Sequence, residues 1–198
     1  MKWNLVAHPR ASRPPRHQVA VSPMSPWTAD TWEFAFEISG AHSVRWPSQE
    51  SGRGQRRDGL WTTTCMELFI GSHEFSAYVE WNFSPSLNWA CYEFSDYRIA
   101  VARGLPPVEV VPRVSFQQLG EVAMLRVQLR NPLCIDPHDH KSRDVMSVPA
   151  TALTLGWTAV IEELDGEKFY WALQHSSSAP DFHRAEDWIA KMQRSEST

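Results

Sequence analysis

From residue 31 to residue 39 the chain alternates without a break, with Trp32, Phe34, Phe36 and Ile38 on one side and Glu33 and Glu37 on the other. A period of two is what a β-strand with one buried face requires, because successive side chains point to opposite faces. The pattern recurs at 122–129, where Leu125, Val127 and Leu129 alternate with Arg126 and Gln128. Strand-like runs also occupy 65–71, 76–83, 87–94, 97–102 and 108–116. Residues 153–164 and 168–174 read as a hairpin around Asp165-Gly166, a dipeptide suited to a tight turn between paired strands. Pro14-Pro15, the stretch 23–26 and Pro106-Pro107 punctuate the chain, and 49–57 is a polar loop. At 186–194 the spacing of Trp188, Ile189 and Met192 turns helical and predicts one short C-terminal helix. The expectation is a single all-β domain over 1–198, an antiparallel β-sandwich of jelly-roll type with that helix at its end.

The richest chemistry lies between residues 65 and 94. With Gly71 opposite Ser76, Glu67 faces Glu80 and Cys65 faces Asn82. With Phe83 opposite Leu87, Asn82 faces Asn88 and Tyr78 faces Tyr92. One face of this meander then gathers Glu67, Tyr78, Glu80, Asn82, Asn88 and Tyr92. The other gathers Met66, Leu68, Ile70, Val79, Trp81, Phe83 and Trp89. Two carboxylates directly opposite stand roughly 5 Å apart at Cβ and destabilise the strand pair unless something compensates. On a wet face, water or a pairing with Arg57 or Arg98 suffices. In a polar, aromatic-walled sugar site the ligand takes part. In a catalytic pair the two groups share a proton and split their pKa values. The residues leave these three open.

Hydrophobic residues make up 42% of the 198 and charged residues 21%, which describes a folded globular chain. A net charge of −4 gives no reason to expect nucleic acid, which needs a basic face. Arg10, Arg13 and Arg16, and again Arg53, Arg56 and Arg57, cluster in loop-like stretches and are expected to be solvated. Ten tryptophans change the picture more. Indole suits a core, the role expected of Trp32, Trp157 and Trp171, and it also stacks on the apolar C–H faces of sugars. Three cysteines without CxxC spacing make neither a disulfide framework nor a zinc ribbon. The first residues lack the apolar run of a secretory signal and no window reaches membrane-span length, so a cytoplasmic protein without a membrane partner is expected.

Two further segments carry polar chemistry. FYWALQHSSSAPDFH leaves a strand at Gln174 and carries His175, Asp181 and His183, either as the rim of a binding site or as a packed return loop. Asp136, His138, Asp139 and His140 look metallophilic but match neither zinc nor calcium spacing, so an exposed loop is expected there and no metal. Nucleophile elbows, P-loops and dinucleotide fingerprints are missing from the sequence. Cys65 lies within a strand and has no base that the sequence reveals. No residue is therefore assigned a catalytic role and no cofactor is expected.

RDGLWTTTCMELFI, YVEWNFSPSLNWACYEFSDYR, IEELDGEKFYWAL and PDFH together resemble the bacterial DOMON-like proteins, a group similar to family 9 carbohydrate-binding modules. The resemblance runs from about Thr31 to His183. It implies a β-sandwich holding a sugar between aromatic side chains, with polar groups on the hydroxyls, or haem in some relatives. Stacking candidates are Trp61, Trp89 and Trp171, and haem would look to Met66, Met124, His175 or His183. The leading expectation is a non-enzymatic module for a sugar or polyol, its ligand-binding residues drawn from Arg57, Trp61, Glu67, Tyr78, Glu80, Asn82, Trp89, Tyr92, Arg98, Trp171, His175 and His183. The alternatives are an enzyme working through Glu67 and Glu80, and a haem-binding redox module.

Overall fold

The computed structural model describes residues 1–27, 31–49, 52, 54–101, 111–130 and 153–191. Its strands in chain order are β1 (Trp3–Asn4), β2 (Val6–Ala7), β3 (Gln18–Pro23), β4 (Thr31–Ser39) and β5 (Cys65–Ser72). These are followed by β6 (Tyr78–Phe83), β7 (Trp89–Asp96), β8 (Ile99–Ala100), β9 (Arg113–Leu119) and β10 (Val122–Arg130). Last come β11 (Leu153–Glu162), β12 (Lys168–Ala172) and β13 (Ala190–Lys191). Sheet A has the order β1-β3-β4-β10-β9, and sheet B the order β2-β12-β11-β5-β6-β7-β8, with β13 pairing beside β12 on β11. Among the described residues the strand pairings within both sheets are antiparallel. The fold is thus an all-β sandwich.

The alternation of β4 and β10 sends Trp32, Phe34, Phe36, Leu125 and Leu129 inward, where they meet the apolar side of sheet B. Trp157 of β11 packs on Phe34 and Phe36 at ring separations of 4.9 and 5.8 Å. Trp27 stacks on Trp32 at 5.0 Å. Trp32 and Trp157 therefore take the core role expected of them, and Trp171 is buried there too.

Three expectations are corrected. The β5–β6 register pairs Glu67 with Asn82 and Phe69 with Glu80, two residues from the simplest hairpin, because 71–78 all lie beyond the last pair Ile70–Val79. The β6–β7 register likewise pairs Asn82 with Ala90 and Tyr78 with Phe94. A slip of two leaves every side chain on its predicted face. Second, the C-terminal helix is not formed: Ala185–Asp187 is one 3-10 turn, and Ala190–Lys191 pairs with β11. Trp188 decides this. Its indole lies over Gly71 and Gly156, where a Cβ would come within 2.6 and 2.1 Å of it, and it stacks on Phe69 at 5.4 Å. Third, Arg13 is no solvated loop residue: its guanidinium meets Glu163, Asp165 and Glu167 at 2.7, 2.6 and 3.1 Å and clamps the β11–β12 turn. Buried Glu163 also accepts the Arg16 N–H and a bond from His17 Nδ1, while Trp171 Nε1 donates to His17 Nε2. With Nε2 accepting, His17 carries its proton on Nδ1 and is neutral, as burial, which lowers its pKa, also favours.

The Asp165-Gly166 turn is as expected, with Gly166 at φ 89. The strands β1, β2 and β3 were not foreseen from the sequence. The Asp136–His140 loop, Cys134, and the ends of the predicted 97–102, 108–116 and 186–194 elements fall outside the described residues. No helix among the described residues is long and apolar enough to cross a membrane.

Candidate functional site

Strands β5 and β6 are buried on both faces, one by the sandwich core and the other by the chain that leaves β12 and returns through Trp188. Trp188 Nε1 donates to the Phe182 carbonyl at 2.9 Å, which fixes the path of residues 180–183 across the outer face of sheet B. Between that path and the turn at Leu60–Thr62 lies a cavity of about 490 Å³. Glu67, Glu80 and His183 line it together with Trp61, Tyr92, Phe94, Arg98, Tyr170 and Phe182.

The two carboxyls sit on neighbouring strands with the same facing, diagonal to each other, a spacing of about 7 Å between backbone positions. They are 2% and 5% exposed. Thr158 Oγ1 donates to Glu67 Oε2 at 3.1 Å, and Asn82 Nδ2 donates to Glu80 Oε1 at 2.6 Å. The Cys65 thiol donates to Asn82 Oδ1 at 3.4 Å, which orients that amide so that its N–H faces Glu80. Burial pushes both carboxyls upward: Glu67 well above the ordinary range, with Glu80 adding repulsion, and Glu80 to about 7 despite the Asn82 bond and the Arg98 charge. Both shifts favour the protonated forms, and two acids this close titrate as a pair rather than singly.

His183 is the third polar group. The Tyr78 hydroxyl accepts the Arg98 N–H at 3.1 Å, so its own proton goes to His183 Nδ1 at 2.7 Å. Nε2 then holds the ring proton and faces Glu80 Oε2 at 3.7 Å. Burial, reinforced by the Arg98 charge and opposed by Asp181, lowers the His183 pKa to about 4, which keeps the ring neutral. Arg98, at left-handed φ 55, holds Asp181 at 2.8 Å, and Tyr97 donates to the same carboxylate. At the opposite rim Asp58 accepts from Tyr92 and pairs with Arg56 at 3.0 Å. Trp61, 45% exposed, stands edge-on to Tyr92 at 5.6 Å and presents indole surface to solvent.

Of the residues the sequence nominated, the cavity brings together Trp61, Glu67, Glu80, Tyr92, Arg98 and His183, with Asn82 and Tyr78 bonded just behind them. The others lie elsewhere. Trp89 packs on Trp81 in the sandwich core, and Trp171 points to the same core with its N–H on His17, because both occupy inward positions of their strands. Arg57 is exposed outside the cavity lining, and Arg56 holds the rim instead. His175 Nε2 bonds the Val6 carbonyl and its ring packs on His8. Asn88 accepts the Gln55 N–H in the β6–β7 turn. Of the haem candidates, Met66 is in the core and Met124 is on sheet A beside Arg126, so neither shares the cavity with His183. Tyr170, Phe94, Phe182 and Thr158 were not nominated as site residues. Alternation along β11 and β12 would have placed Thr158 and Tyr170 outward, but only the tertiary fold shows that the return loop makes a wall there.

This is a two-sheet antiparallel sandwich with an aromatic-rimmed, acid-floored cavity on the outer face of one sheet. A scan of known protein families and a search of curated proteins each find no match. Solved structures do match in fold. A protein from Bacteroides uniformis put forward as carbohydrate-binding aligns with a TM-score of 0.60 at 11% identity, over 96% of this chain and 84% of its own. A family 9 carbohydrate-binding module from Caldicellulosiruptor kristjanssonii, in complex with glucose, aligns with a TM-score of 0.55 at 8% identity, over 99% and 87%. At such identities the likeness is one of fold.

Proposed function

We propose that the outer-face cavity of sheet B binds a carbohydrate and that the protein is a non-enzymatic carbohydrate-binding module of the family 9 and DOMON-like kind. The observation that carries this is the meeting, in one solvent-open cavity, of an exposed indole with buried hydrogen-bonding groups held in fixed orientations. Trp61 offers a flat apolar surface to a sugar ring. Glu80, Glu67 and His183 Nε2–H supply acceptors and donors for hydroxyls. The Arg98–Asp181 and Arg56–Asp58 pairs cancel charge at the rim, so the rim itself selects neither an anion nor a cation. The two neighbours in fold, one of them holding glucose, support the same reading.

The test is a glycan panel read by intrinsic fluorescence and calorimetry. A responding sugar is expected to lose about 1–3 kcal/mol of affinity on Trp61→Ala, the scale of burying one large apolar side chain. Silence across the panel, with turnover of a small molecule abolished by Glu67→Gln, would move the site from binding to catalysis.

A further inference from the structure

The floor of the cavity poses an electrostatic problem that the residues around it leave unsolved. Glu67 and Glu80 are almost wholly buried, yet among the described residues they face a hydroxyl, an amide and a neutral imidazole. Buried carboxylates ordinarily have a cation in contact. Among the described residues the cations near this site are engaged by other groups. From the β7–β8 turn, Arg98 is held by Asp181 of the return loop. From the chain before the Leu60–Thr62 turn, Arg56 is held by Asp58. From β12, Lys168 bonds the Thr62 carbonyl. Strand β11 offers Thr158 and Val160, β5 adds the buried Cys65 thiol, and β6 adds Asn82 and Tyr78. Among the described residues no group of three or more His, Cys, Asp or Glu gathers as a metal site.

Above that floor the walls are aromatic: Trp61, Tyr92, Phe94, Tyr170 and Phe182. An aromatic enclosure attracts a cation to its ring faces, and carboxylates beneath it add a directional partner. A neutral ligand would leave the two acids to compensate each other with a proton. A cationic one replaces that proton and satisfies both.

We infer that the ligand of this cavity carries a protonated amine, its ammonium seated between Glu67 and Glu80 and its apolar ring face against Trp61. The sugar part of the ligand, an amino sugar, rests on the function proposed above; the ammonium part rests on the floor and walls alone. Binding expels a proton from the carboxyl pair, so affinity rises with pH until the amine itself loses its charge. The rim pairs, each of zero net charge, do not oppose entry of a cation.

The experiment compares D-glucosamine, D-glucose and N-acetyl-D-glucosamine by calorimetry at pH 6 and 7, with tetramethylammonium as a cation lacking a sugar. Glucosamine is expected to bind at least about tenfold tighter than the other two sugars, by charge-assisted bonds to the carboxyls. In two buffers of different ionisation heat it should release a proton, a readout that needs no variant. Glu80→Gln should abolish the preference; Glu67→Gln serves if that variant fails to fold. Glucose binding as tightly as glucosamine overturns the inference and leaves the sugar reading intact. Tetramethylammonium binding where every sugar is silent upholds the cation site and overturns the sugar reading. No response from any of the four overturns the inference.

Discussion

Replacing Glu80 with Gln removes a titrating group whose folded-state pKa is about 7 against an ordinary 4.5. A carboxyl with a raised folded pKa binds more protons in the native than in the unfolded state. Its contribution is fully present below pH ~4.5 and is lost as pH rises through about 7. A shift of roughly 2.5 units at 1.36 kcal/mol each makes that loss about 3 kcal/mol. Little solvent screens it, since Glu80 is 5% exposed. Gln has no such dependence. It keeps an acceptor for Asn82 Nδ2 but turns an NH₂ toward His183 Nε2–H, at a cost of about 1 kcal/mol. The variant is therefore expected to be about 1 kcal/mol less stable than the parent near pH 4.5 and about 2 kcal/mol more stable above pH ~8.

Urea unfolding followed by tryptophan fluorescence across pH ~4.5 to 8.5 reads this as two curves that cross. In thermal unfolding, about 2 kcal/mol corresponds to roughly 4–8 °C for a chain of this size. Groups far from the site titrate alike in both proteins and cancel in the difference. Loss of the Glu80 charge also relieves Glu67, which works in the same direction. Parallel curves with no crossing would refute the claim that Glu80 is buried beside an uncompensated acid.

Three other outcomes follow from the packing and the site. Gly156→Ala drives a Cβ to 2.1 Å from the Trp188 indole, which Phe69 backs, and is expected to cost about 1–3 kcal/mol by denaturant unfolding. Glu163→Ala removes the shared acceptor of Arg13, the Arg16 N–H and His17 in a fully buried position, and should cost about 3 kcal/mol in the same assay. Protein supplied with haem should show no stoichiometric Soret band, since neither Met66 nor Met124 lies in the cavity with His183.

Local alternation was the most legible signal. The predicted 31–39 strand has the observed bounds of β4, and the polar face of the meander emerged on the correct side even though both turns were drawn two residues short. Parity survives an even slip, so Glu67 and Glu80 share a face under either register. Parity also spoke against Trp89, which the pattern itself put on the apolar face. Choosing it as a stacking residue let residue type override position. What the sequence hid depends on distant partners. The N-terminal strands β1 and β2 span two residues each, too short for any period, and exist as edges of sheets formed by later segments. Arg13 looked solvated because its acidic partners lie about 150 residues further on. The helical spacing of Trp188 and Ile189 yielded to glycine slots on β5 and β11 that nothing local could disclose.

The same hidden element explains why the site exists. Without the return loop, the outer face of sheet B would be an ordinary wet surface, and Glu67 and Glu80 would cost the fold little. Trp188, seated on Gly71 and Gly156, draws residues 180–183 across the face and takes His183 and Phe182 over the carboxyls. That burial raises both carboxyl pKa values and so works against stability at neutral pH. Neither the sandwich core nor the clamp at Glu163 requires it, since both are complete on the other side of the sheet or at its far turn. The return loop gains the apolar cluster of Phe69, Tyr78 and Trp188 and carries two acids into burial with it; sites of binding and chemistry are where such costs concentrate, which is the ground for the ligand site proposed here.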